Sequence, residues 1–500
     1  MTERDAGVWP SDDLPTGWTW TPFLEVFRDI TTSDKKLKQS LYLSAGTFPV
    51  VDQGQVKVAG YSNDRDLVHP ATKPVIVFGD HTRCVKYIHP PFIQGADGVK
   101  VLEPTPAITP KFAFWGLSTI RLPDKGYSRH FKFLKESSFP VPPLNEQHRI
   151  VAKIEELSDR SRRAREALDA VPALLDRFRQ SVLAAAFRGD LTAEWRAKNP
   201  DVEPASVLLE QIRQERRLGW TARRSATGRS STSRYPKPLE IEEEGLPALP
   251  QGWMWVTLDE LLVGIEAGKS PGGAGRPAIE GEVGVLKVSA VTWGKFNPSE
   301  NKSLGAEFEV GSIPTVRTGD LLISRANTVE LVGAVVVAEA DYPNLILCDK
   351  TLRLIPASSE VDPYFLMFAL RTRLTRAIFE KATGTSDSMR NITQDTIRSV
   401  PIALPPRAEQ ALIVASLKQA GIAIESVGAA VMSETHRLAH LEQSILAKAF
   451  RGELVPQDPN DEPASALLER IRSERSQAIV SKTKQGWTSK KTSERQTLSV

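Results

Sequence analysis

Cysteine is almost absent from this chain: Cys84 and Cys348 are its two copies in 500 residues. That excludes a disulfide framework, and neither thiol has a cluster of metal-ligating neighbours. A reduced, cytoplasmic setting is the plain expectation. Long hydrophobic runs are missing as well. No unbroken stretch of eighteen apolar residues occurs, and the first 13 residues are polar, without an apolar signal core. Neither a membrane span nor a leader is therefore expected. Charge of one sign is also lacking, since 64 Lys+Arg face 61 Asp+Glu for a net charge of +3. Bulk charge does not announce a nucleic-acid binder, so any contact with a polyanion must come from local patches or from a basic partner. The two halves differ, however. Residues 14–140 carry 16 basic and 11 acidic side chains, whereas 251–400 carry 15 and 18.

Enzyme signatures are missing too. Gly264-Ile265-Glu266-Ala267-Gly268-Lys269-Ser270 resembles a phosphate loop but is one residue short, and Pro271-Gly272 prevent the helix that should follow. No Asn-Pro-Pro-aromatic or Asp-Pro-Pro-aromatic tetrapeptide is present. His436 and His440 stand one helical turn apart, but with no third ligand in view they read as a solvated helix face.

What is present is repetition. Leu14-Pro15-Thr16-Gly17-Trp18-Thr19-Trp20 returns as Leu249-Pro250-Gln251-Gly252-Trp253-Met254-Trp255, an offset of 235 residues. Pro142-Pro143 with Glu146-Gln147 returns as Pro405-Pro406 with Glu409-Gln410, at an offset of 263. Ala186-Phe187-Arg188-Gly189 returns as Ala449-Phe450-Arg451-Gly452 at the same offset, and Glu203-Pro204-Ala205-Ser206 returns at 259. A repeat this long is a duplicated module rather than a solenoid. Between the anchors, 21–140 and 256–400 do not align, and the two offsets make the whole region between the anchors 28 residues longer in the second copy. Both contain strand-like runs such as Val75-Ile76-Val77-Phe78 and Leu321-Leu322-Ile323 among Gly and Pro breakers. A duplicated frame thus carries two diverged inserts.

After each Pro-Pro the apolar residues alternate by four and three. The first series includes Ile150, Ile154, Leu157, Leu168, Leu175, Phe178 and Val182, with Ser161 as its polar member. The second includes Ile413, Leu417, Ile424, Val431, Leu438, Leu441 and Ile445. This is a heptad seam. It predicts one long helix per copy, about 35 residues or roughly 50 Å, kinked near Pro172 and stopped at Gly189 or Gly452. Shorter helices are expected at 205–217 and 464–475. Two seams in one chain can bury each other as an antiparallel pair. The fold class read here is α+β: two globular mixed α/β domains separated by two long helices packed as an antiparallel coiled coil, with pseudo-two-fold symmetry.

The duplicated order of these motifs resembles the specificity subunit of type I restriction–modification enzymes. The resemblance implies a division into an N-terminal tail (1–13), target recognition domain 1 (14–143), helical spacer 1 (144–218), a linker (219–248), target recognition domain 2 (249–404), helical spacer 2 (405–475) and a disordered tail (476–500). It implies a non-catalytic DNA-binding subunit that reads a bipartite target in double-stranded DNA, one domain per half-site. Two methylation subunits and restriction subunits would assemble on it. S-adenosylmethionine, ATP and Mg would belong to those partners, with none in this chain. The alternative is a non-catalytic protein-binding scaffold of tandem modules with a coiled-coil arm.

Base reading requires forked groups on loops: Arg for guanine, Asn or Gln for adenine. The candidates are His81, Arg83 and Lys86 after the first buried strand, then Arg129, His130 and Lys132. In the second insert they are Arg325 and Asn327, then Ser386, Arg390 and Asn391, with Lys287 and Lys295 as phosphate or sugar contacts. Each of these is equally an ordinary surface or turn residue. Trp293 is as well explained by core packing, as are the repeated Trp18, Trp20, Trp253 and Trp255.

Overall fold

Both copies of the Leu-Pro-x-Gly-Trp motif fold into the same tight turn. Trp18 N donates to Pro15 O at 3.1 Å and Trp253 N to Pro250 O at 3.1 Å. The turn needs a left-handed residue, supplied by Gly17 (φ +85°) and Gly252 (φ +84°). The structure is a computed structural model and describes residues 13–123, 128–226, 235–381 and 390–477. The expected N-terminal tail, except Asp13, and the expected C-terminal tail from 478 onward lie outside the described residues. The chain divides into two compact units, both discontinuous: 1–169 with 432–500, and 170–431.

The first unit begins with Thr19–Pro22, paired antiparallel to Ser138–Val141, so both ends of the insert leave from one place. One four-stranded sheet runs in the order Phe27–Asp29, Val99–Pro104, Val75–Gly79, Val85–Ile88. A second runs Lys36–Leu37, Ile93–Gly95, Phe48–Val51, Gly60–Ser62, and its two central strands are parallel. The second unit repeats this plan. Met254–Thr257 pairs antiparallel to Pro401–Leu404. One sheet has the order Leu262–Ala267, Thr351–Pro356, Leu321–Ser324, Val335–Val337. The other has Asn301–Gly305, Val283–Leu286, Tyr342–Ile346, Thr315–Val316, again with a parallel central pair. The inserts, which do not align in sequence, share an architecture. Only the second has a further two-stranded pairing among the described residues, Ala326–Asn327 with Arg390–Asn391.

The long helices are Leu144–Phe187 and Arg407–Ala449, 44 and 43 residues, longer than the 35 expected. Each starts after its Pro-Pro, where the preceding residue is steered out of helix. Gln147 and Gln410 fix that start by donating to Pro142 O and Pro405 O, both at 3.1 Å. The first helix continues through Pro172. Gly189 (φ +78°) and Gly452 (φ +72°) follow the two helix ends, as the repeat predicts. The stretch read as a linker begins as helix, because Ala205–Ala226 runs past its expected end. Arg407–Ala449 is also long and apolar enough, by length and composition alone, to cross a membrane. The expectation of no such segment rested on an unbroken apolar run, and this helix passes on its Ala, Gly, Val and Ile content instead.

Within the first unit the two long-helix segments lie antiparallel. Ile150 and Ile154 share a core with Ile445, Ala449 and Phe450, while Ser161 Oγ donates to Glu442 at 2.7 Å and Arg165 meets the same carboxylate at 2.9 Å. The polar seam residue is thus buried and hydrogen-bonded. In the second unit Leu183 and Ala186 pack with Ile413 and Leu417, and Ile424 is buried. Leu157, Leu168, Leu175, Val182, Val431 and Leu438 are half-buried. Phe178 and Leu441 depart from the expected seam, being 52% and 50% exposed. They occupy the same position in the two copies, so the helix phase turns them outward in both.

A repeated clamp ties each helix start to its tryptophan turn. In the second unit Glu409 is fully buried; it accepts from Trp253 Nε1 at 2.8 Å, from Thr192 Oγ1 at 2.6 Å and from the Arg196 guanidinium. Ala205 N donates to Gly252 O at 2.8 Å. In the first unit Glu146 and Trp18 occupy the same places and Ala464 N donates to Gly17 O at 2.9 Å, but among the described residues no arginine forms an ion pair with Glu146, and Arg149 acts on it only from a distance. The Glu146 Oε1 is buried without a hydrogen-bond partner among the described residues. Burial pushes the Glu146 carboxyl above the ordinary glutamate value, while Trp18 and Arg149 pull it part of the way back. Here the ion pair has moved to the rim, where Arg149 meets Asp461 at 2.7 Å.

Candidate nucleic-acid interface

In both units the loop after the central buried strand of one sheet is tied to the segment that precedes the closing strand. In the first unit that loop is 79–84, closed by Gly79 N to Cys84 O and Arg83 N to Gly79 O, both 2.8 Å. Arg83 adopts φ +61°, a left-handed conformation rare for a residue with a side chain, and it is exposed at the loop tip. Asp80 is the anchor. Its buried carboxylate accepts from Phe131 N at 2.8 Å, and its carbonyl accepts from His130 N at 2.8 Å. This brings Arg83 onto a segment fastened to Arg129 and Lys132, both exposed. Lys132 Nζ sits 4.9 Å over the Phe133 ring.

Two expected DNA contacts face inward instead. His130 is 1% exposed and donates Nδ1–H to Asp80 O at 3.1 Å. Lys86 is 6% exposed, and its ammonium donates to Asp52 O at 2.8 Å and lies 3.4 Å from the Asp52 carboxylate. Lys86 sits on a strand whose alternation buries it, so its charge is neutralised internally rather than offered to a polyanion. His81 is half-buried beside Gln53, whose amide oxygen accepts from His81 N at 3.3 Å.

In the second unit the two predicted segments do meet. Ala326 pairs with Asn391, Asn327 pairs with Arg390, and Ile392 N donates to Arg325 O at 2.9 Å. Arg325, Asn327, Arg390 and Asn391 are all half-buried. Asn327 spends part of its amide locally, accepting from Thr328 N at 2.9 Å and donating to Ser324 Oγ at 3.3 Å. The buried Arg390 Nε has no acceptor among the described residues. Ser386 lies outside the described residues. Lys287 is held 3.6 Å from Glu300 and Lys295 3.2 Å from Glu425, so neither belongs to this loop pair. Trp293 is half-buried; its indole donates to Glu330 O at 2.7 Å, and the Arg376 guanidinium lies 4.7 Å from its ring. Sequence reading missed the anchoring role of Asp80 and the Arg376–Trp293 stack. A buried strand that runs straight into Gly-Asp is the signal that pointed to the first.

No group of three or more metal-ligating side chains occurs among the described residues. Residues 251–428 match the family described as "Type I restriction modification DNA specificity domain". The chain is 27% identical over 301 residues to the type I restriction enzyme EcoEI specificity subunit of Escherichia coli, covering 59% of this chain and 49% of that protein. It is 28% identical over 357 residues to the EcoKI specificity subunit of Escherichia coli strain K12, covering 68% of this chain and 66% of that one. The second insert and the first part of the helix that follows it thus match this specificity domain, and the chain is similar over a longer stretch to type I specificity subunits. The matched region spans about half the length of the EcoEI relative. A solved structure described as "Structural basis underlying complex assembly and conformational transition of the type I R-M system" contains a chain of the same fold, with a TM-score of 0.53, 21% identity and coverage of 89% and 100%. That likeness concerns the fold alone. The insert fold and its loop pair are the elements that occur twice in this chain with different side chains.

Proposed function

We propose that this chain is the DNA-recognition subunit of a type I restriction–modification complex and carries no catalytic centre of its own. Residues 14–143 read one half of a bipartite target, and 249–404 read the other. The observation that carries this reading is the repeated loop pair: one architecture presents Arg83, Arg129 and Lys132 in one unit and Arg325, Asn327, Arg390 and Asn391 in the other. Forked Arg and Asn side chains suit base edges, and exposed Lys and Arg suit phosphates. A frame duplicated with different loops suits two half-sites of different sequence.

The helical spacers, 144–218 and 405–475, hold each domain on its tryptophan clamp and offer exposed faces to two methylation subunits, with restriction subunits binding that assembly. S-adenosylmethionine, ATP and Mg serve those partners, inside the cell. Both ends of Arg407–Ala449 sit in protein cores, which favours a spacer helix over a membrane span. The test is binding of the assembled methylation complex to duplexes altered in one half-site. Arg83→Ala should relax discrimination in one half only, by about 1–3 kcal/mol for a lost bidentate contact. Unchanged discrimination in both halves, together with no sequence-specific binding by the wild type, would favour a protein scaffold instead.

A further inference from the structure

A cavity of about 620 Å³ in the second unit stands apart from the loop pair described above. It lies between the helix Pro363–Leu370, the 293–295 turn and that unit's segments of the two long helices. Its size falls in the range of small-molecule sites, roughly 300–1,000 Å³.

The charges facing it are unbalanced. Arg371 lies against it and donates to Val335 O from Nε and Nη2 (3.2 and 2.7 Å) and to Gly294 O from Nη2 (2.8 Å). Among the described residues no carboxylate pairs with this guanidinium, and its Nη1 has no acceptor. A like charge, Arg179, faces it, and burial together with Arg179 pushes the Arg371 guanidinium down to about 10, which still leaves it charged at neutral pH. Lys418 also lines the cavity without an ion pair, its Nζ resting 3.3 Å from the centre of the Tyr364 ring. Three carboxylates line the cavity against five cations: Glu425 holds Lys295 at 3.2 Å, Asp176 lies 3.8 Å from Arg179, and exposed Glu339 pairs with no cation among the described residues. Two guanidinium groups and an ammonium converging beside an apolar wall call for a multiply charged anion with a flat body. Guanidinium forks match phosphate oxygens, and a desolvated cation gains most from such a partner.

We propose that this cavity binds a small organic phosphate of the nucleoside diphosphate class, its phosphates held by Arg179, Arg371 and Lys418 and its ring against Phe368. The site is separate from half-site reading, and its failure would leave that reading untouched. Equilibrium dialysis of the full-length chain against ADP, pyrophosphate and adenosine tests it. One ADP should bind per chain, more tightly than either fragment. Arg179 and Lys418 have solvent-exposed heads on helices, so Arg179→Ala with Lys418→Ala should leave the thermal midpoint within a degree or so and weaken ADP about tenfold or more, the effect of losing a charged hydrogen bond. Lys418→Gln alone should weaken it less. Failure of the wild-type chain to bind ADP, adenosine binding as tightly as ADP, undiminished ADP binding by the double variant, or displacement of ADP by duplex DNA of arbitrary sequence would each overturn the proposal.

Discussion

The two units hold the same tryptophan turn with different chemistry. In the second, Glu409 is fully buried, yet Trp253, Thr192 and Arg196 satisfy it. In the first, Glu146 is just as buried but has no cation of its own, and the ion pair Arg149–Asp461 has moved to the rim. The turn, the helix start and the capping Gln survive in both; the charge balance does not. What duplication conserves is backbone geometry: a Gly at positive φ, a Pro-Pro stop and a hydrogen bond to the glycine carbonyl. Side-chain electrostatics around that geometry are free to drift.

The largest test of this comparison is at the paired phenylalanines. Phe450 is fully buried against Phe112, with ring centroids 4.9 Å apart; its counterpart Phe187 is half-buried against Phe365 at 5.6 Å. Phe450→Ala should destabilise the first unit by about 4 kcal/mol and Phe187→Ala the second by clearly less. Hydrogen exchange resolved by unit is the readout, because two cooperative units make a single global midpoint ambiguous.

Next come the clamps. Glu409→Gln leaves Arg196 without its carboxylate and should cost the second unit about 3 kcal/mol. Glu146→Gln should cost the first unit little at pH 7, or stabilise it, because it removes a buried charge with no cation of its own. Comparable losses in the two units would break the comparison. The pH dependence sharpens it. Glu146 has a folded pKa raised above its unfolded value, so its favourable contribution is fully present below the unfolded pKa and is lost as pH rises through the folded one. Between wild type and Glu146→Gln, the stability difference of the first unit should therefore change between those two values. An identical pH profile for the two proteins would contradict the assignment.

Asp80→Ala removes the hydrogen bond to Phe131 N and should cost about 1–2 kcal/mol locally, loosening the loop that carries Arg83. Its signature is relaxed discrimination in one half-site, read by mapping methylated sites; equal relaxation of both halves would refute it. The smallest effect belongs to the rim: Asp461→Ala should cost the first unit under about 1 kcal/mol, since Arg149 is itself partly exposed.

Sequence alone revealed the frame. Gly17 and Gly252, the Pro-Pro stops, Gly189 and Gly452, and buried seam residues such as Ile150, Ile154, Ile413 and Ile445 all carry local signals, and the structure places them accordingly. Phe178 and Leu441 fit the heptad by spacing, but both are half exposed among the described residues, and a one-dimensional pattern cannot show that. The common fold of the inserts was illegible for a different reason. Its strands are two to six residues long and pair across long stretches of chain, as Phe27–Asp29 does with Val99–Pro104, so two inserts can share most of their pairings without aligning in sequence. Among the site candidates, segments could be chosen by their position after a buried strand. Individual side chains could not: Lys86 and His130 point inward because strand alternation and the Asp80 anchor dictate it.

The most direct measurement of the central claim is to exchange residues 21–140 for the corresponding insert of a similar specificity subunit, assemble the methylation complex, and map methylated sites across a genome. One half of the bipartite target should change and the other remain. Change in both halves, or in neither, would contradict the assignment of one domain to one half-site.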